Sequence, residues 1–432
     1  VTKKYFIETW GCQMNVHDSE KMAGSLAAMG YSPAETVEEA DVYLMNTCSI
    51  REKAQEKVFS RIGVVKELKN EKDLLIGVAG CVAQQEGEAI LKRAPQVDFV
   101  MGTQALKDLP ELLQTRHAVS IEKDPENHLF PTDQILRNEG IKAQVTIMEG
   151  CDNYCTYCIV PYTRGRERSR SVPEILYEIK NLAKQGFKEV ELLGQNVNSY
   201  RSEVDFATLL DEVSQIEGIE MIRFVSPHPK DFSRKVIELI AERPNIGRGL
   251  HLPAQSGNSR ILKRMGREHT REHYIELVDM IYDVLPEASL TSDFIVGFPG
   301  ETEREFEDTV SLIEKVGYDR IFSFMYSPRP GTGALKHGDP IPKEEKARRL
   351  QILQKRQLEI QKARMEHRIG RRDKVLIDEI KPEDKFPLKG RNSENLLVHI
   401  QSEIGDVDRF YGKVIEVELI GAGVHTLRGK LL

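Results

Sequence analysis

Cys151, Cys155 and Cys158 lie in the segment GCDNYCTYC, with the spacing C-x3-C-x2-C. Grouped thiols of this kind bind zinc or iron–sulfur clusters. Zinc sites combine a cysteine pair with a second ligand pair further along the chain. Bacterial ferredoxins supply a fourth cysteine, whereas here the local count stops at three and no cysteine follows Cys158. Three thiolates on a four-iron cluster leave one iron without a protein ligand. A molecule with neighbouring amino and carboxylate groups can chelate that iron, and the methionine end of S-adenosylmethionine (SAM) carries both. An electron delivered to the sulfonium breaks a carbon–sulfur bond and yields a 5′-deoxyadenosyl radical, able to take hydrogen from an unactivated carbon. A zinc site completed by a remote His or Asp is the competing reading of the spacing.

The other three cysteines, Cys12, Cys48 and Cys81, are separated by 36 and 33 residues. Each follows a strand-like run: KYFIE (4–8), DVYLMN (41–46) and LLIGVAG (74–80). Each separation suits one strand–helix unit. Successive strands of a parallel sheet point the same way, which brings the three thiols to one edge. That edge is where open α/β sheets bind ligands. Three unrelated cysteines acting as small buried hydrophobes are the plainer alternative. Three thiols without a fourth again suit a four-iron cluster with one open iron.

The elements that must position these thiols follow from periodicity. A fourth strand at DFVMG (98–102) and helices near 17–29, 50–69, 84–94 and 104–114 complete a βαβα pattern over residues 1–115. Residues 117–141, with Pro125 and Pro131, read as a linker or lid strap. A second series has strands at 144–149, 189–194, 221–226, 248–253, 290–297 and 320–327, with helices at 172–185, 206–217, 231–243, 270–284 and 302–316. Six parallel strands predict an open partial barrel whose ligand chemistry sits at the C-terminal strand ends. The cysteine loop follows its first strand. Residues 343–369 read as one long charged helix with a narrow apolar stripe at Leu350, Leu353, Leu358 and Ile360. Beyond 371, KVLIDEI, NLLVHIQ, YGKVIEVELIG and VHTLRGKLL, with turns at Gly390, Gly405 and Gly421, predict a small antiparallel barrel. The expected fold class is α/β: a parallel-sheet N-terminal domain, a partial (β/α)6 barrel and a C-terminal β-barrel.

Composition narrows the function. The 432 residues are 40% hydrophobic and 30% charged with a net charge of −7, which disfavours a surface given over wholly to nucleic acid. No run of 18 apolar residues exists, so no membrane helix is expected. The first residues, VTKKYFIE, are too polar for a secretory signal, and a start without Met reads as a beginning inside the natural chain. A reducing cytosol is the expected compartment, where cysteines are ligands or catalysts rather than disulfides. Basic character is local. RGRERSR (164–170) has four arginines against one glutamate, and 343–374 has 12 Lys/Arg against 5 Asp/Glu. Residues 375–432 have 8 against 10, so RNA binding there would need a one-sided face.

These motifs together resemble the radical-SAM methylthiotransferases over nearly all of the chain. They are TWGCQMNVHDSE (9–20), NTCSIREKAQEKV (46–58), GCVAQ (80–84), MEGCDNYCTYCIVPYTRGRERSR (148–170), LLGQNVNSY (192–200), HLPAQSG (251–257), SDFIVGFPGET (292–302) and YSPRPGT (326–332). The resemblance implies a methylthiotransferase N-terminal domain over 1–118, a linker over 119–141, a radical-SAM core with its long helix over 142–370 and a TRAM barrel over 371–432. The run RMGREHTREHY (264–274) departs from the usual pattern.

Within the family, GCQMN and YTRGRERSR point to the branch acting on tRNA. That branch converts N6-isopentenyladenosine at position 37 to its 2-methylthio derivative, using two four-iron clusters, SAM and a reducing electron donor. The branch modifying a ribosomal-protein aspartate is the runner-up, and an RNA-binding protein with structural or redox-sensing clusters is a third reading. Implied SAM contacts are Tyr157, Gly194, Gln195, Asn196, Ser226, Gln255, Ile295 and Gly297. Arg164, Arg166, Arg168, Arg170, His228 and His251 are the candidates for substrate binding. A solvated basic turn and structural histidines are the bland alternatives for these six.

Overall fold

Short apolar runs between polar turns become strands here, and their alternate side chains face two separate helix layers. The computed structural model describes residues 2–48, 52–122, 135–137, 140–402, 405 and 407–432, with 52–55 in backbone alone. The N-terminal elements are β1 (Lys4–Trp10), α1 (Gln13–Ala28), β2 (Ser32–Pro33), β3 (Val42–Thr47), α2 (Glu52–Glu71), β4 (Leu75–Gly80), α3 (Cys81–Glu86), α4 (Glu88–Arg93), β5 (Phe99–Met101), α5 (Leu109–Leu112) and β6 (Ala118–Ser120). The six strands form one parallel sheet in the order β2-β1-β3-β4-β5-β6. Tyr43, Met45 and Val78 pack with Val58, Ile62 and Val65 of α2 on one face. Leu44, Ala79 and Phe99 pack with Met22 and Leu26 of α1 on the other. The strands β2 and β6 were not expected, being too short for a periodic signal. Most of the expected linker lies outside the described residues.

The chain continues through β7 (Lys142–Thr146), β8 (Met148–Glu149), α6 (Val160–Arg164), β9 (Arg168–Ser169), α7 (Val172–Lys184), β10 (Glu189–Leu193), α8 (Phe206–Ser214), β11 (Met221–Phe224), α9 (Arg234–Glu242), β12 (Gly249–His251), α10 (Ser259–Arg264), α11 (Arg271–Val284), β13 (Ser289–Val296), α12 (Glu303–Val316), β14 (Arg320–Met325) and α13 (Lys343–Glu366). The six barrel strands pair in parallel as two triplets, β11-β10-β7 and β12-β13-β14, and a single bridge between Ile222 and Ile246 connects them. The order is that of the expected partial barrel.

Two compact units result. One comprises 1–139, 148–152 and 158–170, and the other 140–147, 153–157 and 171–432. The cysteine loop therefore contributes to both: Cys151 and Cys158 belong to the first unit and Cys155 to the second.

The buried line of α13 differs from the expected apolar stripe. It runs through Lys346, Arg349, Leu353, Gln357, Gln361 and Met365, while Leu358 is exposed. Buried carbonyls need donors, and these side chains supply them. Lys346 Nζ donates to Tyr326 O (3.1 Å), Gln357 Nε2 to Tyr318 O (2.8 Å) and Gln361 Nε2 to Val424 O (2.6 Å).

The last five strands are β15 (Arg372–Ile380), β16 (Leu388–Asn392), β17 (Leu397–Gln401), β18 (Val414–Ala422) and β19 (Thr426–Leu431). They close into a barrel in the order β15-β16-β17-β19-β18. The barrel is not wholly antiparallel, because β17 and β19 run parallel. The unexpected strand β16 reads LKGRN, a polar run that hides its strand character. Its Gly390 is required, since a Cβ there would lie 2.1 Å from Leu376 O.

Candidate functional site

The carboxyl ends of β1, β3 and β4 are level. Trp10 pairs with Thr47, and Thr47 with Gly80. Cys48 and Cys81 follow those pairs directly and Cys12 follows by two residues. Cys48 and Cys81 are buried and Cys12 is half-buried. The three thiols are neighbours: Cys12 shares a hydrogen bond with Cys48 and interacts electrostatically with Cys81.

Local sequence explains the convergence. Gly80 has φ +88°, and a Cβ on it would meet Asn46 Oδ1 at 2.4 Å and Thr47 O at 2.5 Å. Only glycine lets β4 turn at once into α3 with Cys81 as the first helical residue. Asn15 and Asn46 clamp the first two strand ends. Asn15 Nδ2 donates to Asn46 Oδ1 (3.0 Å), and Asn46 Nδ2 returns a bond to Asn15 O (2.7 Å). Both asparagines are fully buried. Neither was singled out from the sequence, although both stand within the quoted motifs. A polar residue three places beyond a cysteine that begins a helix was the available signal.

The hydrogen bond from Cys48 is the main reason the Cys12 thiol is brought down to about 6, against burial and with help from the Arg164 charge. Burial pushes the Cys81 thiol up, opposed by Arg164. Metal-free protein should therefore react with iodoacetamide first at Cys12, at a rate that is half-maximal near pH 6. Peptide mass spectrometry across pH 5–9 measures this, and Cys81 labelling ahead of Cys12 would contradict it.

The second cysteine group is held by backbone. Cys151 N donates to Gly165 O (3.2 Å). Gly150 has φ +81°, and a Cβ there would lie 2.0 Å from Arg166 O. In the other unit, Thr156 N donates to Met265 O (2.8 Å), Thr156 Oγ1 to Arg264 O (2.9 Å), and Ala334 N to Thr156 O (2.7 Å). Arg267 Nη1 lies 3.7 Å from Cys155 Sγ, and its Nη2 donates to Pro253 O (2.8 Å). Arg267 belongs to the run 264–274 that departs from the family pattern, which is why the sequence assigned it nothing.

The four arginines do not form one exposed basic surface. Arg164 is 3% exposed and bonds Asp18 (Nη2 to Oδ2, 2.7 Å). Arg168 is paired with Glu149 (3.0 Å), and Arg170 is buried. Arg166 is the most exposed of the four and pairs with Asp152 (3.1 Å). Arg164 and Arg168 are engaged in ion pairs with Asp18 and Glu149, and Arg164 and Arg170 are buried.

The SAM candidates lie at strand ends of the second unit. Gly194, Gln195 and Asn196 follow β10. Asn196 Nδ2 donates to Asp231 Oδ2 (2.9 Å), while its Oδ1 is buried with no hydrogen-bond partner among the described residues. An orphaned acceptor at a strand end fits a bound ammonium group such as that of SAM. Ser226 (φ +60°) and Gln255 (φ +70°) adopt left-handed backbone that costs their residue types of order 1–3 kcal/mol. Tyr154, within the cysteine loop, does so too (φ +45°). Such strain persists where the surroundings over-determine it, and it clusters at ligand sites. Tyr157 and Ile295 pack together on Ile261, Met265, Phe298 and Tyr326. The Gly297 amide is already given to Glu301 Oε2 (2.7 Å).

The histidines divide. His228 is buried against His269, and burial holds it far below the usual histidine range. His251, half-buried as the last residue of β12, bonds Thr291 Oγ1 (2.9 Å) and lies 3.5 Å from Asp293.

Among the described residues no three His, Cys, Asp or Glu side chains are grouped tightly enough for a single metal ion. The fit to an iron–sulfur group rests on donor chemistry: three thiols of one kind at adjacent strand ends, facing a buried guanidinium. No described helix is long and apolar enough to cross a membrane.

Comparison with known proteins bears on the family and the fold. A model described as uncharacterized protein family UPF0004 matches residues 4–102, and one of the Radical SAM superfamily matches 145–313. The tRNA-2-methylthio-N(6)-dimethylallyladenosine synthase of Acidovorax sp. (strain JS42) is 47% identical, over 100% of this chain and 98% of its own. That of Janthinobacterium sp. (strain Marseille) is 45% identical, over 100% and 99%. Among solved structures, the radical SAM methyltransferase TsrM from Kitasatospora setae has a TM-score of 0.58 at 14% identity, covering 77% of each chain. The cobalamin-dependent radical enzyme OxsB has 0.53 at 13%, covering 82% of this chain and 56% of its own. At such identities the likeness speaks for the fold alone. The full-length relatives speak for descent: this chain belongs to the tRNA-2-methylthio-N(6)-dimethylallyladenosine synthase family of radical SAM enzymes, whose chemistry uses an iron–sulfur cluster and SAM.

Proposed function

We propose that this chain converts N6-isopentenyladenosine at position 37 of tRNA to its 2-methylthio derivative. In this reading Cys151, Cys155 and Cys158 hold one four-iron cluster with SAM, and Cys12, Cys48 and Cys81 hold a second. When bound, these groups supply one-electron cleavage of SAM, hydrogen removal from carbon 2 of the adenine and a methylated sulfur to take its place. The chain's residues bind and orient. Arg267 donates toward Cys155 and anchors it to the Pro253 carbonyl. Asn196 offers its free carbonyl oxygen to the SAM ammonium group. Tyr157 and Ile295 form the apolar bed for the adenine of SAM, with Gly194, Gln195, Ser226, Gln255 and Gly297 at the neighbouring strand ends.

One observation carries the two-centre reading. Arg164, six residues after Cys158, sits within electrostatic reach of Cys12 and Cys81. Six residues, mostly helical, span on the order of 10 Å. A ligand of the first centre is thus tied by one short helix to the edge of the second, as sulfur transfer to a carbon radical requires. Residues 1–118 then carry the sulfur centre and 142–370 the radical centre. Residues 371–432, as a TRAM barrel, would add RNA contacts. The adenine must leave its stack to reach both centres. An external reductant supplies the electron, and a tRNA substrate and thiols kept reduced for iron suit the cytosol.

The test is nucleoside mass spectrometry of isopentenylated tRNA incubated with reconstituted protein, SAM and reductant. A methylthio product on tRNA is expected. Product on a ribosomal-protein aspartate instead would move the chain to the other branch, and absence of SAM cleavage by cluster-replete protein would leave a binding protein.

A further inference from the structure

We propose that Phe322 and Phe324 of β14 bind the prenylated base of the tRNA substrate, Phe324 against the adenine ring and Phe322 against its isopentenyl chain. This rests on the tRNA reading above and names the residues that would tell a prenylated adenine from a plain one.

Alternate residues of a strand face opposite sides, and the two sides of β14 differ. Ser323 faces α13, where it accepts from Gln354 Nε2 (3.3 Å). Arg320, Phe322 and Phe324 share the other side and are exposed, the two rings by 44% and 45%. Parallel register carries that side across the neighbouring strands. Phe322 stands beside Asp293 and Phe324 beside Ile295 of β13, while Thr291 of β13 stands beside His251 of β12. The His251 ring meets Phe322 edge-on at 6.0 Å between centroids, and the Arg320 guanidinium lies 5.9 Å from the Phe322 ring. The reverse side of β13 is closed: Leu290, Phe294 and Val296 are fully buried, and Phe294 packs on Tyr318.

Adjacent large apolar side chains left in water mark an interaction site, and the make-up of this one selects its occupant. Aromatic rings beside a cation are how proteins take unstacked RNA bases. Arg320 bonds His425 Nδ1 (3.2 Å), a neutral partner when it accepts, so its charge remains for the RNA backbone. The phenyl rings carry no polar group, which suits a base whose exocyclic nitrogen bears a hydrocarbon. Two residues along a strand separate the rings by about 6.6 Å, similar to the reach from an adenine ring to the end of its five-carbon chain. Continuity sets the direction. Ile295, beside Phe324, shares an apolar cluster with Tyr157 of the cysteine loop, and its amide donates to Gln255 O (2.9 Å). The adenine ring therefore belongs at Phe324, next to the residues assigned to SAM, and the chain at Phe322, further from them.

The experiment uses cluster-reconstituted full-length protein and its Phe322→Ala, Phe324→Ala and Phe324→Tyr variants. Thermal unfolding by circular dichroism is recorded first. Anticodon stem–loop RNA with N6-isopentenyladenosine or plain adenosine at position 37 is then titrated, and binding is read by fluorescence anisotropy. Wild type is expected to prefer the prenylated RNA. Phe324→Ala should bind both RNAs about 5- to 150-fold more weakly, the cost of one lost base stack, and Phe324→Tyr should stay near wild type. Phe322→Ala should lose about 10-fold for the prenylated RNA alone, removing the preference. That preference is a ratio within one protein, so a general loss of fold cannot produce the change. An undiminished preference in Phe322→Ala overturns the proposal, and so does unchanged binding by Phe324→Ala. Wild type that binds both RNAs equally overturns it too, while leaving the tRNA reading in place. Wild type that binds neither RNA sinks that reading, and the proposal with it.

Discussion

The Cys12→Ala enzyme is expected to cleave SAM to 5′-deoxyadenosine while leaving tRNA without a methylthio group, and Cys155→Ala to do neither. The asymmetry follows from where the thiols sit. Cys12 lies two residues beyond β1 of the N-terminal sheet, at the start of α1, and hydrogen-bonds with Cys48. Cys155 belongs to the other unit, next to Arg267, and that unit holds the strand ends proposed to take SAM. Removing an outer-shell partner of a metal centre already costs 10–100-fold, so removing a ligand should lower the dependent product by more than about 100-fold. Both readouts come from one incubation: 5′-deoxyadenosine by chromatography and modified nucleoside by mass spectrometry. Methylthiolated tRNA from Cys12→Ala at near wild-type yield would show that the N-terminal trio is not the sulfur centre. A Cys155→Ala enzyme that still cleaves SAM would remove the radical centre from its loop.

Asp319→Ala is expected to destabilise the protein by about 3–5 kcal/mol, the usual cost of stripping one partner from a buried ion pair. Asp319 is 2% exposed and directly precedes β14. It receives Arg364 (3.0 Å) and Arg368 (2.8 Å) from the end of α13 and its continuation, and it accepts from Leu290 N (3.2 Å). Arg368 also bonds Glu394 in the turn between β16 and β17 (Nε to Oε2, 2.8 Å). Burial pushes the Glu394 carboxyl up while Arg368 holds it down. Removing Asp319 leaves two largely buried guanidinium groups, with Glu394 as the carboxylate left to Arg368. Asp319→Asn keeps an acceptor for Leu290 but not the charge, and should fall between. The urea midpoint, followed by circular dichroism at fixed pH, reports the loss. A shift equivalent to less than about 1 kcal/mol for Asp319→Ala would mean that the network is compensated elsewhere.

Several misreadings share a cause. The first helix was expected from residue 17 and begins at Gln13. Its first turns bury Asn15, His17, Asp18 and Lys21, so the face that packs inward there is polar and leaves no apolar period to detect. The same holds for α13, whose inward line is mostly lysine, arginine and glutamine. In both places the helix gives hydrogen bonds to groups far away in sequence, and hydropathy cannot register that. Arg164 is the clearest case. Its neighbours in sequence made it look like part of a basic surface, while the carboxylate it meets is 146 residues away, Asp18 of α1.

The sequence alone determined the thiol inventory, the strand–helix alternation and hence the edge on which Cys12, Cys48 and Cys81 must gather, because parallel strands share one direction. It also determined the family, through motifs spread over the whole chain. Tertiary structure decided which charges are spent. Whether an arginine meets solvent, a carboxylate or a thiol depends on which distant strand end lies opposite. Burial and pairing are properties of the packed chain, so no local spacing encodes them.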